Sequence, residues 1–522
     1  MISQTANSHT RSGLSNRGSM WVIPAFVLLG VLVTAAVFGV ASRFHSGATV
    51  ALVIAFIGLP ALFLGAAGVR HAASSARAFL STSAKWWHFL WMLTFVSALV
   101  FRIRYANDIA SDPLDGWAIF RVVIDMLVAF VLLARLALRR THWLSSMFRG
   151  VLGAFSMFGL ICLASTAWSV YPSWTFYKSF EILVDFALLA TVLETVESID
   201  DFRDFFNWTW AIYGLALLTV WLGVLIWPHD ALYGDQFDLG TLGIRLQGVM
   251  PAFSSNDVGT FAAILGVLAL ARLLPVSEER FNKSWYGFLL LASVGTMVCS
   301  QTRTAIVGFL GGVFLILVFT RRKSMGTLLT FVVTPIVGIV TAGGLLLSYL
   351  QRGQTEDQLA SLSSRADWWS FAWRTYLERP LLGFGAYAGG RFAVLAKLGL
   401  GGTSTMHSDY LEILVGTSFW GMIPFLIALG ATWWLLLRYV RDSSSDTEQR
   451  QLAFEALAIL ALLTFRSVFM TMLTWHPPLH FLAILGYGEF LRRRQHAWAR
   501  VRVTQLRSLA TPQAALVPGI EV

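Results

Sequence analysis

Residues 416–437 read GTSFWGMIPFLIALGATWWLLL, a stretch of apolar and small residues without a charged side chain. An α-helix rises about 1.5 Å per residue, so a helix of this length crosses the hydrocarbon core of a bilayer, which is about 30 Å thick. The stretch lacks the alternation of apolar and polar residues that barrel strands show. We therefore predict a transmembrane helix, because backbone groups in lipid need partners within their own segment.

Further apolar runs of similar length occur along the chain, and together they predict an all-α polytopic membrane protein with 12–14 transmembrane helices. The weakest of them are 86–101, 174–193 and 478–491. The runs lie at 20–41, 48–69, 86–101, 117–138, 147–168, 174–193, 208–227, 257–274, 284–300, 303–320, 325–350, 416–437, 452–473 and 478–491.

The composition agrees with lipid as the main solvent. Only 13% of the 522 residues are charged and 56% are hydrophobic, whereas soluble proteins carry roughly 25% charged residues. The net charge of +10 is explained by basic cytoplasmic loops, and it does not indicate nucleic-acid binding. Cys162 and Cys299 both lie within apolar runs, which excludes a disulfide framework or a zinc site built from them.

Lysine and arginine residues predict the orientation. If the N-terminus is cytoplasmic and all the runs cross, the basic segments 70–85, 139–140, 321–323, 438–450 and 492–507 fall inside, as the positive-inside rule requires. The predicted organisation is a cytoplasmic tail (1–19), a transmembrane domain (20–491) with one long outer loop (351–408), and a basic, disordered cytoplasmic tail (492–522).

The long outer loop begins with helical periodicity. Trp368, Phe371, Ala372 and Thr375 share one stripe, which predicts an amphipathic helix lying on the membrane or against the bundle. A glycine-rich segment follows at 380–390. It lacks the features of a phosphate-binding loop, so a plain turn is favoured over backbone contact with a ligand.

Four polar residues at the predicted outer boundary are candidates for chemistry. His407 stands where the long loop re-enters the membrane, and a neutral imidazole there suits a general base. The alternative is a histidine that solvates a helix end. Arg245 and Arg303 lie in short outer turns, and Arg365 lies in the long loop. Their guanidinium groups suit phosphate oxygens, although such arginines also reach towards lipid headgroups or solvent without a ligand.

Charges predicted within the membrane have a structural explanation. Arg121 and Asp125 are four residues apart, a spacing that favours an ion pair on one helix. Arg466 and Glu455 are eleven residues apart, so partners on other helices are expected for both.

Four motifs in order resemble the bacterial O-antigen ligase and O-antigen polymerase superfamily. They are GIRLQG (243–248), SQTRTA (300–305), ERPLLGFG (378–385) and HSDYLEILVGTSFWG (407–421). The resemblance covers roughly residues 240–435. One departure is that His407 is followed by Ser408, where the family usually has asparagine.

The resemblance implies an inverting, metal-independent glycosyltransferase with a fold similar to the GT-C class, needing no cofactor. The donor would be a glycan on undecaprenyl diphosphate in the bacterial inner membrane, and the acceptor a sugar hydroxyl of lipid A–core, reached from the periplasm during lipopolysaccharide biosynthesis. His407 would act as the base. Arg245 and Arg303, and in our interpretation Arg365, would bind the diphosphate.

Three other functions remain open from the sequence. A polymerase of O-antigen or exopolysaccharide, or a protein O-oligosaccharyltransferase, would belong to the same superfamily and differ in its acceptor. A transporter of lipid-linked glycan belongs to another class. A transporter should show paired repeats and charges along a path through the membrane; the unexplained polar residues here cluster at one face, which favours an enzyme.

Overall fold

The computed structural model describes residues 63–68, 73–74, 85–99, 115–233, 242–279, 281–320, 365–400, 405–442, 446–474 and 478–510. The runs predicted at 20–41 and 325–350, and most of the run at 48–69, lie outside the described residues.

The described residues form helices that we number in chain order. They are α1 (Trp86–Leu99), α2 (Gly116–Ala137), α3 (Trp143–Met147), α4 (Gly150–Ala164), α5 (Pro172–Thr195), α6 (Ile199–Ile226), α7 (Pro228–Leu232), α8 (Ser255–Leu273), α9 (Lys283–Ser300), α10 (Arg303–Phe319), α11 (Arg365–Glu378), α12 (Asp409–Arg441), α13 (Thr447–Ser467) and α14 (Leu479–Ala510), with a 3₁₀ turn at Ser165–Trp168 and a π-helical turn at Gly389–Leu395.

Within the described part of the chain no β-strand occurs, and five helices are long and apolar enough to cross a membrane. They are Gly116–Ala137, Gly150–Trp168, Ile199–Ile226, Ser255–Leu273 and Asp409–Arg441. The prediction of an all-α polytopic membrane protein is therefore confirmed. Large apolar side chains such as Phe130, Leu133 and Ile427 are more than half exposed, as lipid-facing residues are. The count of 12–14 spans stays a prediction.

Helix α13 lies at the centre of the bundle, packed against α8, α10 and α12. Its residues 452–463 are almost completely buried, which explains why this helix is apolar all round rather than on one stripe. Glycines in α10 permit a close approach: a Cβ at Gly312 would lie 3.1 Å from the carbonyl oxygen of Ala458. Small residues serve this purpose widely in membrane helices.

The two ends of the bundle differ in chemistry. At one end α8, α10 and α12 begin and α9 and α13 finish; we call it the site end. At the opposite end, ion pairs tie the helices together. Arg272 of α8 binds Glu455 of α13 at 2.8 Å, and Arg203 of α6 binds Glu279 at 2.6 Å. The expectation that Glu455 pairs with another helix is confirmed.

Two sequence predictions are corrected by the packing. Arg121 pairs with Glu181 of α5 and not with Asp125 on its own helix, because the neighbouring helix presents a buried carboxylate directly to it. The basic C-terminal segment was predicted to be disordered, yet α14 continues to Ala510. Arg492 and Arg493 both bind the carboxylate of Glu489, and such pairs one turn apart favour continuation of the helix.

Candidate active site

Arg245 and Arg303 lie on two segments that hydrogen-bond to each other. The amide of Leu246 donates to the carbonyl of Cys299 at 2.9 Å, and the side-chain amide of Gln301 donates to the carbonyl of Ile244. Helix α9 ends at Ser300 and α10 begins at Arg303, so the connection is as short as the sequence predicted. The structure therefore brings the two segments that carry these predicted phosphate ligands together.

The turn before Arg303 rests on the first turn of α8. The hydroxyl of Thr302 donates to the carbonyl of Ser255 at 2.8 Å, and a Cβ at Gly259 would lie 2.6 Å from the Cβ of Thr302. Helix α8 itself is started by Ser254 in a reciprocal cap with Asp257. Helix N-termini carry partial positive charge, so α8 and α10 add to the positive potential that the arginines provide.

His407 occupies a constrained position just before α12. Its backbone φ is +56°, in the left-handed region that non-glycine residues rarely adopt. Its imidazole stacks on Trp368 of α11, with ring centroids 6.0 Å apart. The side chain is half-buried, and its Nδ1 atom is buried without a hydrogen-bond partner among the residues that the structure describes. Among the described residues, the Nδ1 atom therefore has neither a hydrogen-bond donor nor an acceptor.

The surroundings keep the imidazole of His407 neutral. Burial, and then the positive charges of Arg365 and Arg466, lower its pKa to about 3. A neutral imidazole can accept a proton, whereas an imidazolium cannot. His407 is therefore in the protonation state that a general base requires.

Asp409 anchors the chain on the far side of His407. Its carboxylate is completely buried and accepts hydrogen bonds from the amides of Met472, Leu473 and Thr474 at 2.7–3.1 Å, and from the hydroxyl of Thr474 at 2.7 Å. A carboxylate with several such donors fixes the main chain around it. The start of α12 is thereby tied to the segment that follows α13.

Glu412 fixes the chain on the near side of His407. Its carboxylate accepts a hydrogen bond from the amide of Met406, and the indole of Trp369 donates to the carbonyl of the same residue at 3.1 Å. The sequence showed that neither Asp409 nor Glu412 shares a helical face with His407. Both instead act on the main chain beside it, which a spacing pattern cannot reveal.

Arg365 approaches the same place from α11. Its Nη1 atom donates to the carbonyl of Phe469 at 3.0 Å, just beyond the end of α13, and its charge acts on His407. The predicted amphipathic helix is confirmed over Arg365–Glu378: Ala372 and Thr375 are buried, whereas Trp373 is half exposed. This helix forms one wall beside His407.

The glycine-rich segment packs against a break in α12. The amides of Phe384 and Gly385 donate to the carbonyls of Val415 and Gly416, both at 2.9 Å. Those carbonyls are available because Ser418 leaves the helical conformation, with φ +60° and ψ −157°. The favoured interpretation as a plain turn is supported, since the close backbone approach is to another part of the chain.

Arg466 is a site residue that sequence reasoning left without a role. It lies in the last turn of α13, is completely buried, and its Nη2 atom donates to the carbonyl of Asn256 at 2.9 Å. Arg466 thus connects the end of α13, which lies near His407, with the first turn of α8. The turn that carries Arg303 rests on the same turn of α8 through Thr302. An arginine in an otherwise apolar run was the available signal.

Across the described residues, no three His, Cys, Asp or Glu side chains converge as ligands. The metal-independent mechanism remains a prediction, to be tested in solution.

A family model described as O-antigen ligase (Wzy_C) matches residues 288–426. The matched segment includes Arg303, Arg365 and His407, whereas Arg245 and Arg466 lie outside it. No curated protein matches the chain.

Proposed function

We propose, from the match of residues 288–426 to the O-antigen ligase family model and from the site residues, that this protein is an O-antigen ligase. It would transfer a glycan from undecaprenyl diphosphate to a sugar hydroxyl of lipid A–core, without a metal ion and with inversion of the anomeric carbon. The observation that carries the proposal is His407, a neutral imidazole under the electrostatic influence of two arginines, at the end of the bundle that also holds Arg245 and Arg303.

The proposed reaction is a single displacement. His407 accepts the proton of the acceptor hydroxyl as its oxygen attacks the anomeric carbon from the face opposite the diphosphate. The bond between that carbon and the phosphate oxygen breaks, and undecaprenyl diphosphate leaves with its electron pair. Arg245, Arg303 and Arg365 bind the phosphate oxygens and stabilise the negative charge that develops on them. The proton leaves later from the imidazolium to water.

Donor binding should improve His407 as a base. In the free protein burial, and then the charges of Arg365 and Arg466, lower its pKa. A bound diphosphate places negative charge among those arginines, and a nearby negative charge raises the pKa of a histidine. The base strength of His407 would therefore increase once the donor is in place, when proton transfer is needed.

The proposed setting is the bacterial inner membrane with the site end facing the periplasm. Basic residues such as Arg438, Arg441 and Arg492 lie towards the opposite end, which the positive-inside rule assigns to the cytoplasm. The donor and a lipid-linked acceptor would then both reach the site from the outer leaflet.

The proposal predicts transfer by the purified protein in EDTA. Undecaprenyl diphosphate carrying one O-antigen repeat and lipid A–core should yield the glycosylated lipid A–core. Loss of product in EDTA that magnesium restores would contradict the metal-free mechanism.

A deletion strain separates ligase from polymerase. A ligase mutant loses capped lipopolysaccharide and accumulates lipid-linked polymer, whereas a polymerase mutant makes single-repeat lipopolysaccharide. Normal lipopolysaccharide with an unglycosylated protein would indicate a protein O-oligosaccharyltransferase.

The low pKa of His407 predicts an unusual pH profile. A group whose pKa is lowered stays unprotonated further into acid, so kcat/KM for the donor should hold steady well below pH 6.5 and decline only towards the pKa of about 3. Arg365→Met removes one of the charges that lower this pKa, so its acid limb should move to higher pH. An acid limb near pH 6.5 in the unmodified protein, unmoved in Arg365→Met, would contradict the assignment.

A further inference from the structure

We infer that Arg466 binds the phosphate of the donor that carries the sugar, as a further ligand next to His407. The inference rests on the proposed function. Its starting point is that Arg466 is completely buried, and that its Nε and Nη1 atoms have no hydrogen-bond partner among the residues that the structure describes. Its one hydrogen bond in that part of the chain is from Nη2 to the carbonyl of Asn256.

Arg272 offers a contrast, because only its Nε atom lacks a hydrogen-bond partner among the described residues. Arg272 is also nearly buried, but it binds the carboxylate of Glu455 at 2.8 Å, the hydroxyl of Tyr286 at 2.9 Å and the side-chain carbonyl of Asn207 at 2.9 Å. Burying a guanidinium without such partners is costly. Arg466 therefore has the donors for an anion that comes from outside the protein chain.

The nearest acid does not supply that anion. Asp257 lies one turn into α8, and its carboxylate accepts from the amide and the hydroxyl of Ser254 at 3.1 and 2.7 Å. It is thus engaged in capping its own helix. It acts electrostatically on Arg466, but the guanidinium of Arg466 forms no hydrogen bond to it. Among the residues that the structure describes, the charge of Arg466 therefore has no carboxylate in direct contact.

The surroundings of Arg466 indicate a phosphate. Arg365 donates to the carbonyl of Phe469, three residues beyond Arg466, and both arginines act electrostatically on His407. The carbonyl that Arg466 binds belongs to the first turn of α8, where the turn carrying Arg303 also rests. Two guanidinium groups and a helix N-terminus favour a multiply charged oxyanion.

The position relative to His407 selects one of the two phosphates. The base accepts its proton from a hydroxyl that attacks the anomeric carbon, so the phosphate nearest to it is the one bonded to that carbon. Arg365 hydrogen-bonds three residues beyond Arg466, and Trp368 of the same helix stacks on the imidazole; both arginines also act electrostatically on His407. Arg466 therefore holds the sugar-linked phosphate, and the segments carrying Arg245 and Arg303 hold the lipid-linked one.

The test compares Arg466→Met with Arg438→Met, the same change at an exposed position at the opposite end. Binding of undecaprenyl diphosphate, inorganic diphosphate and phosphatidylglycerol is measured on full-length protein, together with thermal unfolding without ligand. Arg466→Met should bind undecaprenyl diphosphate roughly 10- to 100-fold more weakly, since hydrogen bonds to charged groups are lost. Its unfolding temperature without ligand should be unchanged or higher, because a buried unpaired charge has been removed. Arg438→Met should behave as the unmodified protein.

Several outcomes would overturn the assignment. One is unchanged binding of undecaprenyl diphosphate by Arg466→Met, and another is equal dependence of phosphatidylglycerol binding on Arg466, which would indicate a general lipid site. Binding of inorganic diphosphate should also be weaker in Arg466→Met, which would show that the phosphate and not the lipid is recognised. If Arg466→Met does not fold, Arg466→Lys keeps the charge but not the planar fork; weaker binding supports the inference and unchanged binding refutes it. Failure of the unmodified protein to bind undecaprenyl diphosphate would instead refute the proposed function.

Discussion

Replacement of His407 with alanine is expected to reduce glycan transfer by roughly 10²- to 10⁴-fold, the usual contribution of a general base. The acceptor hydroxyl would keep its proton in the transition state, because the proposed base is gone. Transfer is measured with purified protein and a lipid-linked donor, and donor binding is measured separately. Binding should persist, because the arginines are unchanged.

The backbone at position 407 calls for a second variant. His407 has a φ of +56°, which alanine tolerates less well than asparagine. His407→Asn keeps this conformation accessible but removes the base, so it should be as inactive as His407→Ala. The matched control is His229→Ala, which changes an exposed histidine and should leave transfer intact. Full transfer by His407→Asn would refute the role of His407 as the base.

Replacement of Arg303 with alanine is expected to lower kcat/KM for the donor by roughly 10²- to 10³-fold, the scale seen when one preorganised donor to a developing negative charge is lost. Arg303 begins α10 beside the segment of Arg245, so the change removes a guanidinium group and leaves the backbone amides of the helix N-terminus in place. Arg303→Lys should recover part of the activity, since it keeps the charge without the bidentate geometry.

The readouts for Arg303 separate binding from chemistry. An effect on KM alone would mean that Arg303 binds the donor equally in the ground and transition states, whereas a lower kcat means that it stabilises the leaving group. The control is Arg374→Ala, which removes an exposed arginine of α11 whose hydrogen bond is to Ser370. Wild-type kcat/KM in Arg303→Ala, or an equal loss in Arg374→Ala, would contradict the assignment.

Much of the fold was accessible from the sequence because each signal was local. Apolar runs predict membrane helices, since a backbone in lipid must satisfy itself within one segment. The short turn at 300–303 and the stripe of α11 depend on residues a few positions apart, and the structure has both. The candidates at Arg303, Arg365 and His407 were likewise found one residue at a time, as polar groups where apolar segments meet water.

The partners of those residues were not accessible, because they depend on which helices are neighbours. Arg121 pairs with Glu181 across sixty positions, although Asp125 on its own helix was the local choice. Asp409 holds residues 472–474, and Arg466 reaches Asn256 of α8. No periodic pattern records such pairings.

The local sequence of this chain determined that it spans a membrane and which residues at its boundary are polar enough for chemistry, because burial in lipid constrains every residue separately. The convergence of Arg365, Arg466 and His407 was decided by packing, in which α11, α12 and α13 meet at one end of the bundle. That convergence keeps His407 neutral under the influence of two arginines, and it arises only when segments distant in the chain come into contact.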